Sequence, residues 1–397
     1  MASDRPRTYT GPALLSYGFR PFFLLSALFA AGAVPVWLAV WSGRIGLAGP
    51  FSPIDWHIHE MLFGYTSAVI AGFLFTAIPN WTGRMPRRGL PLAALAALWI
   101  AGRFAVAGAF GTDPLLVLVI DAGFLLAVTL MAVIEIAAGK NWKNLMVVGP
   151  VGLYLAANVL FHLEAMQQGE SDIGRRLGFA TVTFLIMLIG GRIIPSFTRN
   201  WLAKCGPGPL PVPFGRFDGA SLLVAVGALL CWTLAPDAIL TAALLALAAA
   251  LHVVRLVRWR GHLVWRSPLL LMLHVAYGFL PLGLAATAAA AVGWASAPAG
   301  LHLLGIGAIG GMTLAVMMRA SLGHTGRPLE AGRALSAGFA CIVAAAAART
   351  VLAATDIGGI DGYSLAAAFW TMGFAIYVGR IGPCLLRPSL GRTPSKG

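Results

Sequence analysis

The sequence predicts an all-α fold, a polytopic membrane helix bundle of 12 transmembrane helices forming one integral membrane domain over residues 1–397. Three observations predict it. Of the 397 residues, 59% are hydrophobic and only 11% charged, where a soluble domain carries about 25% charged residues; mean hydropathy is +0.83. Apolar runs of about twenty residues recur along the chain, each long enough for a hydrocarbon core of roughly 30 Å. Lys and Arg fall almost entirely in alternate loops, as the positive-inside rule requires. A cytosolic enzyme, a secreted disulfide scaffold and a disordered adaptor are excluded.

The runs fall near 21–42, 60–78, 90–110, 115–138, 144–162, 177–194, 219–235, 238–257, 268–290, 301–320, 334–354 and 363–384. The first is of spanning length and lacks a small-residue cleavage site, so it reads as helix 1 rather than a signal peptide. With the N-terminus cytoplasmic, the even-numbered loops and both tails hold 23 of the 28 Lys and Arg residues, while the other face holds Arg44, Arg175 and Arg176. That asymmetry places both termini in the cytoplasm. The net charge of +14 therefore reports topology and not a nucleic-acid partner. The longest loop, about 195–218, leaves no room for a soluble domain, so function lies within the bundle or at its mouths. Cys205, Cys231, Cys341 and Cys384 form no CxxC pattern and read as packing residues.

A shift of 243 positions aligns His59 with His302, Gly64 with Gly307, Ala77 with Ala320, and Thr82-Gly83-Arg84 with Thr325-Gly326-Arg327. Ile194-Pro195-Ser196-Phe197-Thr198 matches Ile78-Pro79-Asn80-Trp81-Thr82 in outline. Helices 2, 6 and 10 would then be equivalent members of three four-helix units, a pseudo-threefold repeat; a chance match in so biased a composition is the other reading.

The topology gives each histidine a depth. His57, His59, His162 and His302 lie at outer helix ends, and His252, His262, His274 and His324 toward the cytoplasm. An imidazole against an apolar face is costly unless bonded, ligated or wet, so in a membrane it is a functional candidate. His262 and His324, in basic loops, read as interfacial.

Ser52-Pro53-Ile54-Asp55-Trp56-His57-Ile58-His59-Glu60-Met61 is the densest polar cluster. Ser52 suits an N-cap, Pro53 the first helical position and Asp55 the capping acid. His57 and His59 are roughly 200° apart on a helix and would serve different partners. Asp55 and His59, four apart, could pair so that the carboxylate orients the imidazole, or Asp55 could only cap the helix. His302 precedes Gly305, Gly307, Gly310 and Gly311, which permit close helix packing or the approach of a flat macrocycle. Two imidazoles at equal depth on different helices, His59 and His302, meet the needs of bis-His haem ligation; the absence of CxxCH leaves a non-covalent haem. Arg103 and Asp121 match in depth and could form a buried ion pair, with a haem propionate the other natural partner for Arg103. Glu135 and Arg349 read as interfacial. GxGxxGG at 305–311 lies inside a span, so a dinucleotide reading fails, and no motif points to an electron donor.

DWHIHEMLFGYTSAVIAGFLFTAIPNWTGRMPRR (55–88), SYGFRPFFLL (16–25), GGRIIPSFTRNW (190–201) and HLLGIGAIGGMTLAVMMRASLGHTGRPL (302–329) resemble the NnrS family of bacterial membrane proteins over nearly the whole chain. The resemblance implies an inner-membrane protein of about twelve helices containing haem and copper, linked to nitric oxide and denitrification and protecting cells from nitrosative stress. More distantly, the topology resembles the catalytic subunit of haem–copper oxidases, whose low-spin haem positions His59 and His302 fit. Helices 6 and 7 carry no histidine, so the copper-ligand set of those oxidases is missing. Candidate copper ligands are His57, His59, His162, His302 and Met61 at the outer end, and His252 with His274 at the inner end; imidazole and thioether both suit copper.

The leading expectation is a haem and copper protein that handles or senses nitric oxide. The rival is a secondary transporter of a metal, haem or small anion, which would need ionisable residues at the bilayer midplane. A membrane scaffold that binds haem without turnover is a third reading.

Overall fold

A computed structural model describes residues 9–353 and 355–390. Arg5, Arg7, Arg392 and Lys396 of the basic tails lie outside the described residues. Twelve main helices follow one another among the described residues: α1 (Phe19–Trp41), α2 (Pro53–Thr82), α3 (Leu90–Val106), α4 (Pro114–Ala138), α5 (Leu145–Gln168), α6 (Ile173–Cys205), α7 (Arg216–Leu234), α8 (Ile239–Arg258), α9 (Pro268–Ala291), α10 (Ala297–His324), α11 (Gly332–Val351) and α12 (Gly362–Leu386). Each expected run is a helix. Eleven are long and apolar enough to cross a membrane; α3, at 17 residues, is shorter.

The helix starts follow from local sequence. Ser52 Oγ accepts the Asp55 amide at 3.2 Å with Pro53 at the first helical position of α2, where its missing N–H leaves nothing unpaired. Asp113 caps α4, again ahead of a proline. Asp361 accepts the Ser364 amide at 2.8 Å to start α12. It closes a short antiparallel hairpin, β1 (Asp356–Ile357) and β2 (Ile360–Asp361), whose turn uses Gly358 and Gly359 at φ 64° and 86°, a conformation glycine adopts without strain.

The loop expected over 195–218 is shorter than the sequence predicts. α6 runs through Pro195 to Cys205; proline is tolerated within membrane helices. Cys205 is exposed, which corrects its reading as a packing residue; all four cysteines are free thiols.

Both described chain ends meet at one end of the bundle. Arg20, 1% exposed, donates from Nη1 to the carbonyls of Leu385 (2.8 Å) and Arg387 (2.7 Å) and from Nη2 to Ser389 Oγ (2.8 Å). This fastens α1 to the last turn of α12. The Leu390 amide donates to Thr325 O, the Gly89 amide to Leu15 O and the Val212 amide to Arg258 O, so the even-numbered loops share that end.

α2 and α10 have a feature in common that the helical pattern does not announce. Each contains a wider, π-type segment directly after its aligned histidine: Glu60–Tyr65 after His59 and Leu303–Gly310 after His302. α6 is regular throughout. The local geometry thus relates α2 to α10 without extending to the third expected member.

Candidate metal centre

At the opposite end of the bundle, four helices bring six polar side chains into one cluster. α2 supplies His59 and Glu60, α3 Arg103, α4 Asp121, and α5 Asn158 and His162. His59 is 0% exposed, Glu60, Asn158 and His162 1% and Asp121 3%, so none can rely on bulk water and each needs a protein partner.

Asp121 joins them. Its Oδ2 lies 3.1 Å from His59 Nε2 and 3.1 Å from His162 Nε2, and accepts from Asn158 Nδ2 at 2.9 Å. Its Oδ1 accepts from Arg103 Nη2 in a close ion pair. The planar guanidinium forks, and its Nη1 donates to Glu60 Oε1 at 2.5 Å. The same oxygen faces His59 Nδ1 at 3.0 Å. The ion pair expected between Arg103 and Asp121 is present, extended into a network.

The π segment of α2 explains why His59 and Glu60 both face this cluster and why the backbone tolerates it. A wider turn strands carbonyls that lipid cannot solvate. Here Thr66 Oγ1 donates to Met61 O (2.9 Å), Trp99 Nε1 of α3 to Gly64 O (2.9 Å), and Tyr154 Oη of α5 to Leu62 O. Two of the three donors, Trp99 and Tyr154, come from the helices that carry Arg103 and His162, so the backbone distortion and the polar cluster share neighbours.

The donor geometry fits a metal ion. One ligand atom from each of His59, Asp121 and His162 lies within 4.8 Å of the others. The two 3.1 Å separations approach the ~3.3 Å edge of a tetrahedral site with bonds of about 2.0–2.1 Å. Glu60 behind His59 Nδ1 is the carboxylate–imidazole support that orients a ligating histidine. Glu60 and Asp121 carry two negative charges against one on Arg103; the second positive charge is supplied either by a protonated His59, both of whose nitrogens face carboxylates, or by a bound cation that takes the place of its proton. Rings of Phe51, Phe63 and Phe161 pack on His59 at centroid distances of 4.9, 5.4 and 5.3 Å and shield the cluster from solvent.

Several sequence expectations change. Asp55 does not orient His59: its carboxylate accepts the Ser171 amide at 3.2 Å, and both His59 nitrogens face Glu60 and Asp121. The cause is the distance in the network, since Asp121 and Glu60 meet the imidazole edge-on while Asp55 sits in the first turn beside the α5–α6 loop. The Nη atoms of Arg103 face the Glu60 and Asp121 carboxylates. Met61 packs among apolar side chains. Glu135, read as interfacial, lies near the inner end of α4 and pairs with the exposed Arg84 (2.7 Å) and Arg87 (2.5 Å) of the α2–α3 loop, which is compatible with that reading.

His57 and His59 serve different partners, as their helical angle requires. His57 stacks on Trp37 at 4.2 Å, and its Nδ1 is buried without a hydrogen-bond partner. His302 Nδ1 bonds to Pro298 O at 2.7 Å. His302 and Arg349 are near enough to His57 to be felt electrostatically, without a direct contact among the three, while His59 belongs to the Asp121 network.

The inner histidines are apart from both groups. His252 Nδ1 bonds to Tyr277 Oη at 2.8 Å, and Arg255 links that hydroxyl (2.9 Å) to Asp218 (3.1 Å). His274 Nε2 bonds to Thr198 Oγ1 at 2.9 Å. Each keeps one buried, unpartnered nitrogen, Nε2 of His252 and Nδ1 of His274.

Glu60 and Asn158 were not singled out from the sequence. Asn158 had a faint signal, standing one helical turn from His162 on α5. Glu60 follows His59 directly, a spacing at which a regular helix would separate the two side chains.

These features define a class: a polytopic α-helical membrane protein with a buried carboxylate–histidine cluster able to hold a metal ion. The family model described as NnrS protein matches residues 13–389, nearly the whole chain, and the protein belongs to the NnrS family. A comparison with curated proteins finds no match.

Proposed function

We propose that this is a haem- and copper-binding protein of the bacterial inner membrane that acts in the response to nitric oxide and relieves nitrosative stress during denitrification. One observation carries the metal part of the reading: His59, Asp121 and His162 present donor atoms within 4.8 Å of one another in a buried network. Family membership supports the link to nitric oxide.

The donor set is two imidazoles and a carboxylate without a thiolate. It suits a borderline divalent ion, and Cu(II) stands highest in the affinity order for such ligands. The bound ion would supply redox and nitric oxide-ligating chemistry. The protein's part is to fix both imidazoles through Glu60 and Asp121, to neutralise one carboxylate charge with Arg103, and to exclude water with the Phe51, Phe63 and Phe161 rings.

For the haem, His57 and His302 are the better pair. Both His59 nitrogens are engaged by carboxylates, whereas His57 has an orphan Nδ1 and His302 has Nδ1 fixed by a carbonyl, leaving Nε2 for a ligand. Arg349 takes the role of propionate partner expected of Arg103. The Arg- and Lys-rich face and the shared location of both described chain ends support cytoplasmic termini, with the metal cluster toward the periplasm. The transporter reading is less well supported, because the polar clusters gather toward the two ends of the bundle and the interior between them is apolar.

The test is purification in detergent from haem- and copper-replete cells, with metal analysis, reduced-minus-oxidised optical spectra and copper paramagnetic resonance. The expected result is low-spin haem bands and a Cu(II) signal with imidazole coupling. A colourless, metal-free protein would overturn the reading.

A further inference from the structure

An apolar recess lies between α2, α5, α6 and α10, and its lining changes along the bundle axis. Toward the end that holds the metal cluster, Val69, Val182 and Met312 are buried; toward the end where the described chain ends meet, Phe73, Ile193 and Val316 are part-exposed. The recess is thus a blind slot, open at the basic end of the bundle. From Val182 to Ile193 it follows α6 for about 16 Å. Its only polar side chains, Thr66 and Thr313, already donate to the backbone carbonyls of Met61 (2.9 Å) and Ile309 (2.6 Å). Water in the slot would lack the polar partners it requires, so its chemistry suits a hydrocarbon chain.

The open end carries positive charge. Arg319 stands one turn beyond Val316 on α10, which keeps it on the lining face, and its guanidinium lies over the Phe197 ring of α6 at 4.1 Å. Phe197 is itself one turn beyond Ile193. Arg319 is part-exposed and pairs with no carboxylate among the described residues. Arg192, exposed and one turn beyond the lining residue Ile189, pairs with none among them either. On α2 the Trp81 ring meets Phe73 edge-on at 6.3 Å, and indoles of this kind mark the level of lipid head groups. A guanidinium at that level needs an anion or water, and its fork matches a phosphate. Basic pockets between transmembrane helices bind anionic head groups on this principle.

We propose that the recess is a binding site for an anionic phospholipid, with one acyl chain between α2, α6 and α10 and the phosphate on Arg319 at the mouth. Arg192 adds a second positive charge at the rim. The inference rests on the recess and its mouth alone and is independent of the haem and copper assignments.

The test uses the full-length protein in detergent, stripped of lipid and titrated with phosphatidylglycerol or, as the neutral comparison, phosphatidylcholine, with binding read by native mass spectrometry. The parent is expected to prefer phosphatidylglycerol, and Arg319→Gln to bind it about tenfold more weakly and to lose the preference. Arg319→Lys, which keeps the charge, should retain most of the binding. Arg266→Gln serves as the control, because Arg266 lies on Trp265 in the α8–α9 loop and away from the recess; its affinity should equal the parent's. A crystal of the parent with phosphatidylglycerol brominated along its chains locates the chain without any variant, and bromine scattering is expected between α2, α6 and α10. Equal affinity for the two lipids, an equal loss in Arg266→Gln, a quinone in place of the lipid, or bromine only on the outer surface of the bundle would overturn the inference.

Discussion

His59 Nε2 lies 3.1 Å from Asp121 Oδ2, joining residues 62 positions apart on α2 and α4 in a part of the bundle that water does not reach. The contact commits His59 to the carboxylate network, while His57, two residues earlier, stacks on Trp37.

Asp121→Asn removes the candidate ligand and one of the two carboxylates on Arg103 while preserving shape. Arg103 keeps Glu60, so the expected cost is that of a lost charged hydrogen bond, about 1.5–3 kcal/mol, with loss of the Cu(II) signal. Thermal unfolding in detergent and metal analysis check both. Retention of full copper content would remove Asp121 from the ligand set.

The two histidine groups separate in paired variants. His57→Ala and His302→Ala are each expected to lose the low-spin haem bands and keep copper; His59→Ala and His162→Ala are expected to do the reverse. Optical spectra and metal content on the same preparations decide it, and loss of haem in His59→Ala alone would restore the pairing of His59 with His302.

Arg103→Leu leaves Glu60 and Asp121 without their counter-charge and is expected to destabilise by about 3–5 kcal/mol. Adding Glu60→Gln to the same chain should recover part of the loss, since it removes one of the stranded charges. A double-mutant cycle by thermal unfolding measures the coupling.

Trp99→Phe deletes the indole donor to the Gly64 carbonyl. The stranded carbonyl is expected to cost about 1–3 kcal/mol and to loosen the π segment beside His59, visible as broadened Cu(II) resonances. Sharp, unaltered resonances would show that the segment holds without this bond.

At the mouth of α6, Asp172 accepts from Arg176 (Nη2, 2.7 Å), and this partner holds its carboxyl below the ordinary carboxylate range. A depressed folded-state value means that the stabilisation is present at neutral pH and lost as pH falls through that range. Asp172→Asn is expected to lower Tm slightly at pH 7, and the difference should vanish in acid. A difference independent of pH would rule out the charge as its origin.

Much of the architecture was legible in the sequence. Twelve apolar runs, the Ser52 and Pro53 start of α2, and the depth expected of each histidine follow from length, propensity and loop charge, which are local or one-dimensional properties. The ion pair of Arg103 and Asp121 was legible because a short hairpin confines the two residues to similar depth. The divergence of His57 from His59 was legible in the helical angle.

Depth, however, fixes only one coordinate of a side chain in a bundle. Rotation about the helix axis and the choice of neighbours decide the rest, and the π segments after His59 and His302 alter that rotation in a way that no apolar periodicity encodes. Hence sequence alone determined a membrane bundle with histidines at its ends, while the tertiary structure decided that His59 meets Asp121 and His162, that Glu60 and Asn158 complete the cluster, and that His57 stacks on Trp37 apart from it. The physical reason is that hydrophobic burial against lipid is non-directional and readable residue by residue, whereas a buried charge network exists only where several helices converge to satisfy it.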